Sequence, residues 1–510
     1  MTTIDPRKSG TKAGLGTLPT NVVYDVIVLG SQLAGVVTGA LLVKRGYRVL
    51  FVDPDGLGAY YEHKGYQLPY APTMLPHLRR MPPAETALTE LGIGVDLFRV
   101  LDGSAASDFQ LLFPRHRIDL SVEADRRASE IGREFPSHKD AILSSLVAAQ
   151  ARAEATDPFF KLSLPFPPDG FFERRAVKKA AATCPPVLAD GAIFEALGKT
   201  PFADALQSLG RFLTHLEDTE ASSLSRLRPV AQLLHGACRY PGGYDGLREV
   251  VRARLADLGG NVLGDAHAPA EVEELLFDGG RFSGIKLAGS SNVYRGDCLV
   301  CGMDVSSLAA LIPPKAKKRH LSDLLESVRV RRQLFTVNLV VRDEGLPLGL
   351  KDLALVHPGD EAHGPVLLEV SHARKAGKDV AGEKVLCASA LVAHHEHSNS
   401  DERLQAIADR LEAVLEDLAP FVEQHVVERS VPALHARHFK GTRLAYHPLM
   451  EVDADHTLGI AGLPHRTPCK NLFLASREVI PGLGLEGEFL AATRAALLVQ
   501  GVIKKHDPLK

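Results

Sequence analysis

Several features that define other protein classes are scarce in this 510-residue sequence. Its six cysteines are too few for a disulfide framework. Residues 1–19 contain no apolar run, so we interpret them as a flexible leader and not as a secretory signal. No apolar run approaches the ~18 residues of a membrane-spanning helix. These absences predict a cytoplasmic protein, and they leave peripheral contact with a membrane surface open.

The sequence also lacks a large excess of either positive or negative charge. The sequence has 59 basic and 62 acidic residues, for a net charge of -3. A nucleic-acid partner would need a basic face, so none is expected. The hydrophobic share of 45% is typical of a globular protein. At this length at least two domains are expected, whereas the oligomeric state is not determined by composition.

The segment "VYDVIVLGSQLAGVVTGALLVKRGYRVLFVDPDG" predicts a strand, a helix and a second strand. The run Tyr24–Leu29 is apolar enough for a strand buried on both faces, and residues 34–45 have the composition of a helix. Asp53 ends the second strand, 23 positions after Gly30. This spacing is typical of a carboxylate that accepts hydrogen bonds from an adenosine ribose.

The turn between the first strand and the helix differs from a standard dinucleotide turn at one position. Gly30 and Gly35 fill the first and third glycine positions, but Gln32 stands where a glycine would let the backbone approach a pyrophosphate. The helix N-terminus would still offer free N–H groups and a positive dipole. We expect Gln32 to bend away or to donate its amide to a phosphate oxygen. The alternative is a βαβ unit that binds no dinucleotide.

Two later segments contain similar glycine-rich turns. Gly242 and Gly243 precede an amphipathic helix, and Asp278-Gly279-Gly280 predicts a hairpin before the short strand "DCLVCG". Near the end, "NLFLAS" predicts a strand, "PGLGLEG" a turn, and residues 488–499 a helix.

Together these pieces resemble the phytoene desaturase-like (carotenoid/retinoid oxidoreductase) branch of the FAD-dependent amine oxidase superfamily. The resemblance includes "GLGA" (56–59), "GYQLPYAPTML" (65–75), "YPGGYDGL" (240–247) and "NLFLASREVIPGLGLEGE" (471–488). It implies an α/β fold in which a discontinuous Rossmann-like FAD-binding domain (20–80, 236–310 and 440–505) carries an inserted α+β substrate domain (81–235 and 311–439).

The resemblance also implies an FAD-dependent oxidoreductase of the dehydrogenase or desaturase type, acting on an apolar, isoprenoid or carotenoid-like substrate. The flavin itself takes the hydride in such chemistry, so no catalytic residue is named. The positions that match the family's FAD-binding motifs are Gly30, Ser31, Gln32, Leu33, Ala34, Gly35, Asp53, Pro54, Gly58, Ala59, Ser476, Arg477, Gly484, Leu485 and Gly487.

Several positions depart from the family pattern. Leu57 interrupts a glycine pair, Ser476 and Arg477 replace a glycine and an acidic residue, and Leu483 and Glu486 alter the last glycine cluster. Arg477 and Arg48 could supply positive charge instead. These departures favour an alternative, a non-catalytic lipid- or protein-binding member of the scaffold that resembles the GDP-dissociation inhibitors and has a degenerate flavin site.

Three other patterns were weighed. The segment 157–181 places five phenylalanines beside four basic residues, which suits an anionic membrane surface, the lip of a substrate tunnel, or an ordinary loop on the core. The run His394–His397 is interpreted as a solvated strand end and not as a metal site. Cys298 and Cys301 lie in an apolar strand, which argues against a redox pair. No metal is expected.

Overall fold

The computed structural model describes residues 22–56, 58–103, 108–184, 197–198, 200–217, 223–265, 268–316, 319–358, 364–394, 400–436, 446–452 and 457–503. The leader, Leu57 and His395 to His397 lie outside the described residues. The helices are α1 Leu33–Lys44, α2 Pro82–Glu90, α3 Gly94–Gly103, α4 Ala124–Glu134, α5 Lys139–Ala155, α6 Asp157–Lys161, α7 Phe171–Ala181, α8 Pro201–Leu213, α9 Ser223–Leu234, α10 Gly243–Asp257, α11 Val305–Leu311, α12 Arg319–Glu326, α13 Asp401–Leu418, α14 Pro432–His435 and α15 Gly484–Val502.

The strands come from all parts of the described chain. They are β1 Val23–Tyr24, β2 Val26–Leu29, β3 Val49–Val52, β4 Tyr60–His63, β5 Tyr66–Pro69, β6 Met74–Pro76, β7 Phe109–Leu112, β8 Arg117–Leu120, β9 Ala237–Arg239, β10 Asn261–Leu263, β11 Val272–Asp278, β12 Arg281–Leu287, β13 Val293–Gly296, β14 Leu299–Cys301, β15 Val328–Arg342, β16 Leu353–Val356, β17 Val366–Lys375, β18 Lys378–Ala393, β19 Val426–Ser430, β20 Leu449–Val452 and β21 Leu472–Leu474.

A parallel five-stranded sheet is built from distant parts of the chain. Its order is β10-β3-β2-β14-β21, and every pairing is parallel. The residues of β2 and β3 are all buried because helices cover both faces of such a sheet. Helix α1 is buried from Leu33 to Val43, so it is apolar all round and not amphipathic. It ends at Lys44, and Gly46 follows with a φ of 82°, which glycine adopts readily.

A second, mixed sheet forms the other half of the molecule. Its main order is β19-β15-β18-β17-β16-β7-β8. Alternate residues of β16 point to opposite faces, so Leu353 and Leu355 join a core with α4, α5 and α8, whereas Ala354 and Val356 join one with α13. This sheet and its helices are the α+β part of the predicted fold class, but β20 joins β15 from within the segment 440–505 that was predicted for the FAD-binding domain.

The predicted fold class is confirmed, and several elements fall where the sequence placed them. The strand at Asn261–Leu263 and the hairpin around Gly279 and Gly280 are both present. The structure also attaches two strands from the N-terminal segment to the large sheet, since β4 pairs with β5 and β5 pairs with β17. The exact domain boundaries stay predictions. Within the described ranges, no helix is long and apolar enough to cross a membrane.

Candidate functional site

Four segments meet at the carboxyl edge of the parallel sheet. Gly30 follows β2, Asp53 follows β3, Gly302 follows β14, and Ser476 lies two residues beyond β21. Parallel strands place the residues that follow them at one edge, which is where open α/β sheets bind ligands. The structure therefore brings the N-terminal, middle and C-terminal motifs together at one place.

Close packing explains the first and third glycines of the turn. Gly30 has a φ of 104°, and a Cβ atom there would collide with the carbonyl of Gly302. A Cβ atom on Gly35 would lie 2.7 Å from the Cα atom of Gly302. The amide of Gln32 donates to the carbonyl oxygen of Gly302 at 3.0 Å. These glycines therefore allow α1 to pack directly on the loop after β14.

The first free amides of α1 donate hydrogen bonds to side chains of the chain itself. The amide of Leu33 donates to the hydroxyl of Tyr244 at 3.1 Å, and the amide of Ala34 donates to Oε2 of Glu488 at 3.2 Å. The Tyr244 hydroxyl in turn donates to the Glu488 carboxylate, at 2.8 and 2.9 Å from its two oxygens. A buried carboxylate thus lies at the helix N-terminus, where an anion is favoured by the free N–H groups and the helix dipole.

Gln32 bridges two neighbouring groups. Its Nε2 donates to Oδ1 of Asp304 at 2.7 Å, and its Oε1 accepts from the amide of Arg477 at 3.0 Å. Arg477 also forms a bidentate pair with Asp304, with N···O distances of 2.9 and 2.6 Å. The predicted positive charge of Arg477 is therefore at the site, but it is already neutralised by Asp304. Arg48 lies elsewhere, exposed before β3, and pairs with Asp25 at 3.0 Å.

The remaining predicted positions are placed as follows. Asp53 is 1% exposed, and its Oδ1 accepts the amides of Asp55 and Gly56 at 3.1 and 2.9 Å. The hydroxyl of Ser31 donates to Asp55 at 2.9 Å. Ser476 faces Glu478, at 3.4 Å, and does not line the cavity described below. Pro54 and Gly58 are half-buried beside this turn.

The last glycine cluster is also shaped by packing. Gly484 has a φ of 51°, and a Cβ atom there would collide with the carbonyl of Leu213. A Cβ atom on Gly487 would collide with the carbonyl of Ile480. Leu485 lines the cavity, as does Ala59 from the N-terminal motif. These glycines let the start of α15 pack on Leu213 and Ile480, and α15 itself packs against α1, which places Glu488 at the α1 N-terminus.

A cavity of about 200 Å³ adjoins the carboxyl edge. One wall includes Ser31, Gln32, Asp304 and Arg477. An apolar wall is formed by side chains from β6, α8 and the large sheet: Met74, Leu75, Phe212, Leu334 and Leu367. The cavity therefore connects the parallel sheet with the predicted substrate domain.

Charged and titratable groups line the polar part of this cavity. Tyr446 donates a short hydrogen bond to Asp245, and Arg248 lies 3.4 Å from the same carboxylate. The rings of His215 and His447 contact each other at a tilt of 47°, with centroids 4.6 Å apart. Burial lowers the pKa of His447 to about 4, and it lowers the pKa of His215 as well. Both imidazoles are therefore neutral at pH 7.

Two buried glutamates near the edge hold their protons more tightly than usual. Burial raises the pKa of Glu488 to about 7 and that of Glu478 to about 8. Glu478 accepts the amide of Val305 at 2.7 Å. Glu486, a departure noted in the sequence, pairs instead with buried Arg228 at 2.5 and 2.8 Å, away from α1. Its role is to tie α15 to α9.

Sequence reasoning missed Glu488, Tyr244 and Asp304. Glu488 occupies the last position of the C-terminal motif, where the resembled pattern has alanine. That departure was a usable signal, because a glutamate at a buried, small-residue position needs a partner. The partners themselves lie 244 and 454 residues away in the sequence, so no local pattern identifies them.

The structure describes the cysteine pair of the sequence analysis in full and the histidine run only in part. No group of three or more His, Cys, Asp or Glu residues in the described part of the chain is placed to hold a metal ion. Cys298 and Cys301 are buried free thiols, and burial raises the pKa of both. His394 lies just beyond β18, consistent with a strand end.

No family model and no curated protein matches the chain. Solved structures do match. An oxidoreductase from Methanosarcina mazei is 15% identical, with a TM-score of 0.57 over 94% of this chain and 100% of that one. Cyclohexylamine oxidase from Brevibacterium oxydans is 17% identical, with a TM-score of 0.57 over 95% and 100%. Wild-type putrescine oxidase bound to putrescine is 14% identical, with a TM-score of 0.55 over 93% and 98%. This chain therefore has the fold of these oxidoreductases.

Proposed function

We propose that this protein is an FAD-dependent oxidoreductase of the amine oxidase superfamily. The observation that carries the proposal is the convergence of the turn after β2, Asp53 after β3 and the α15 turn at one sheet edge, beside a cavity. The shared fold of cyclohexylamine oxidase and putrescine oxidase supports the same reaction class. Membership of the phytoene desaturase-like branch is part of the proposal and rests on the sequence motifs.

The groups that would hold FAD are the free amides of α1 and the carboxylate of Asp53. The amides of Leu33 and Ala34 at the α1 N-terminus would hold the pyrophosphate once they are released from Tyr244 and Glu488, and the Asp53 carboxylate is fixed by the amides of Asp55 and Gly56. When bound, FAD would supply hydride acceptance. The chain would contribute orientation, and its apolar wall would exclude water from the substrate.

The fit of FAD requires local rearrangement. The α1 amides are bonded to Tyr244 and Glu488, and the cavity is about 200 Å³. Pockets for drug-sized ligands usually measure about 300–1,000 Å³, and a dinucleotide is larger than most such ligands. The backbone thus has the arrangement that we propose for an FAD site. Side chains, including Tyr244 and Glu488, occupy part of the space that FAD would need.

The substrate that we propose is a small apolar molecule or one section of an isoprenoid or carotenoid-like chain. The apolar wall formed by Phe212, Leu334 and Leu367 supports an apolar substrate. Desaturation is the reaction that the branch resemblance favours. No nucleic-acid partner is proposed, since the net charge is only -3.

We also propose that α7 contacts an anionic membrane surface. Phe171 and Phe172 are 74% and 82% exposed, and their rings pack against each other with centroids 5.6 Å apart. The basic residues Arg174, Arg175, Lys178 and Lys179 are exposed on the same short helix. Exposed aromatic side chains beside basic ones suit the interface of an anionic membrane. The proposed location is therefore cytoplasmic and membrane-peripheral.

A second candidate function is a binding protein without flavin, of the GDP-dissociation-inhibitor type. The observation that favours it is the carboxylate of Glu488 at the α1 N-terminus. If that bond is permanent, the scaffold binds a lipid or a protein through the cavity and its apolar wall.

The absorbance spectrum of the purified protein separates the two candidates. An oxidoreductase is expected to show flavin bands, or to acquire them with a saturable titration when FAD is added to the colourless protein. Heat-released cofactor should match FAD by chromatography. A colourless protein that FAD cannot reconstitute, across the pH range in which it stays folded, would support the binding protein.

A further inference from the structure

Glu488 is held at the α1 N-terminus by groups from two other elements. It is 1% exposed, and it accepts the amide of Ala34 from α1 and the hydroxyl of Tyr244 from α10. The hydroxyl of Tyr244 also accepts a hydrogen bond from the amide of Leu33, the residue before Ala34. The Glu488 carboxylate and the Tyr244 phenol therefore accept the hydrogen bonds of both amides. They do so in the position that the helix dipole makes favourable for an anion.

The charged surroundings do not provide a simple ion pair for this carboxylate. Nε2 of His215 lies 4.0 Å from its Oε1, and burial lowers the pKa of that imidazole, which is neutral at pH 7. Arg477 acts on Glu488 from a distance and is paired with Asp304. The hydrogen bonds that hold the carboxylate in the described part of the chain thus come from an amide and a phenol, as they would for a bound phosphate.

We propose that Glu488 is an internal substitute for a pyrophosphate at the N-terminus of α1, and that a dinucleotide binds only after this carboxylate leaves the amide of Ala34. The proposal rests on the proposed function and specifies what controls its cofactor site. A pyrophosphate and a carboxylate cannot accept the same amide hydrogens. Their negative charges would also repel each other if both lay at the α1 N-terminus.

The competition should depend on pH. Burial raises the pKa of Glu488 to about 7, against hydrogen bonds from Tyr244 and Ala34 and the field of Arg477, which lower it; Asp304 acts in the raising direction. The titratable groups that face it are therefore Tyr244, His215, Arg477 and Asp304. A protonated Glu488 repels a pyrophosphate less, so FAD should bind more tightly as the pH falls through about 7.

Four variants test this inference. Glu488→Ala removes the internal anion, and Glu488→Gln keeps its shape and its hydrogen bonds without its charge. Tyr244→Phe removes the phenol that holds it. Glu271→Ala is the matched control, since Glu271 is an exposed glutamate that does not line the cavity. The thermal unfolding midpoint of each variant without ligand establishes that it is folded.

The readouts are quenching of FAD fluorescence and the thermal shift with inorganic pyrophosphate, each about one pH unit above and below the pKa of about 7. We expect Glu488→Ala to bind FAD at least about tenfold more tightly than the parent at the higher pH, equivalent to about 1.4 kcal/mol. Its affinity should lose the pH dependence seen in the parent. Glu488→Gln should also lose that dependence, and Glu271→Ala should behave as the parent.

The outcomes separate the two proposals. If the parent and Glu488→Ala bind FAD equally well, Glu488 is not a competitor and the inference is overturned, while the proposed function stands. If no variant binds FAD but Glu488→Ala gains pyrophosphate binding, the internal anion is supported and the flavin function fails. If neither the parent nor the folded Glu488→Ala and Glu488→Gln variants bind FAD or pyrophosphate at either pH, both proposals are overturned.

Discussion

At the scale of single residues, Gln32 shows how a nonstandard side chain is accommodated in a glycine-rich turn. Its amide group connects Asp304 with the backbone of Arg477, so it points along the loops and away from the Leu33 and Ala34 amides. The Gln32 side chain, which the sequence suggested would obstruct a pyrophosphate, therefore points away from the pyrophosphate position. Glu488 takes that position instead.

We expect Gln32→Gly to change FAD affinity little, because the loss of one hydrogen bond of roughly 1 kcal/mol is offset by the removal of bulk. Asp53→Asn should weaken FAD binding more, since charged hydrogen bonds contribute roughly 1.5–3 kcal/mol. Asparagine can still accept the amides of Asp55 and Gly56 and so preserves the turn. FAD titrations check that Asp53→Asn weakens binding more than Gln32→Gly. Both substitutions are made in the Glu488→Ala variant, so that the Glu488 carboxylate does not compete. The reverse order would show that Gln32 obstructs the site.

Arg228 is a second residue whose buried contacts should contribute strongly to stability. Its side chain is 2% exposed and contacts Glu486, Asp157 and the ring of Phe160. Breaking a buried ion pair leaves an uncompensated charge. Arg228→Met should therefore lower the free energy of unfolding by about 3–5 kcal/mol.

Urea denaturation followed by circular dichroism measures that loss. The double variant Arg228→Met with Glu486→Leu is the control, because it removes the two buried charges, leaves only the partly exposed Asp157, and should recover much of the stability. A single variant as stable as the parent would show that the pair contributes nothing to the junction between α9 and α15.

At the scale of elements, α7 places its apolar and basic side chains where they contact solvent. Only Val177 of this helix is buried, with Ala180 and Ala181 packed beside it, so the rest of the helix sequence does not serve the core. The neighbouring segment does: Phe159, Phe160 and Phe166 are buried and pack edge to face. The phenylalanine-rich stretch therefore divides into a core part and an exposed tip.

Replacing both exposed phenylalanines, Phe171→Ser with Phe172→Ser, should reduce binding to vesicles that contain anionic phosphatidylserine by at least about tenfold. Co-sedimentation with such vesicles is the measurement, and binding should weaken in high salt because the basic residues contribute electrostatically. Phe421→Ser is the matched control, since Phe421 is 69% exposed on another element. If the parent does not bind these vesicles, α7 is not a membrane contact.

At the scale of the whole molecule, buried ionisable groups should set the pH range of greatest stability. The folded-state pKa values of Glu478 and Glu488, about 8 and about 7, lie above the ordinary 4.5. Their contribution to stability is full below about 4.5 and is lost as the pH rises through about 7 to 8. Burial lowers the pKa of His447 and His465 to about 4, so their contribution is full above the ordinary 6.5 and is lost as the pH falls through about 4.

We therefore expect the stability maximum between about pH 4.5 and pH 6.5, where the two opposing trends overlap. Above that window the free energy of unfolding should fall by up to a few kcal/mol by about pH 8, because only the carboxylates still titrate. Glu478→Gln, which can still accept the amide of Val305, should flatten this fall. Urea midpoints at several pH values check it, and a parent whose stability rises steadily to pH 8 would contradict the assignment.

The sequence by itself determined the local elements and the outline of the fold. The strand Asn261–Leu263, the hairpin at Gly279 and Gly280, and the helix α1 follow from composition and turn chemistry within a few residues. The carboxyl-edge site was also predictable, because parallel strands place the residues after them at one edge.

Only the tertiary structure decided what lies at the α1 N-terminus. Glu488 meets Ala34 across 454 residues of sequence, and Gln32 meets Arg477 across 445. The partner of a helix amide depends on which side chain the packing of another helix brings within 3–4 Å. Here α15 packs against α1, so the sequence predicted that the two motifs meet at one sheet edge but not the carboxylate that this helix contact delivers.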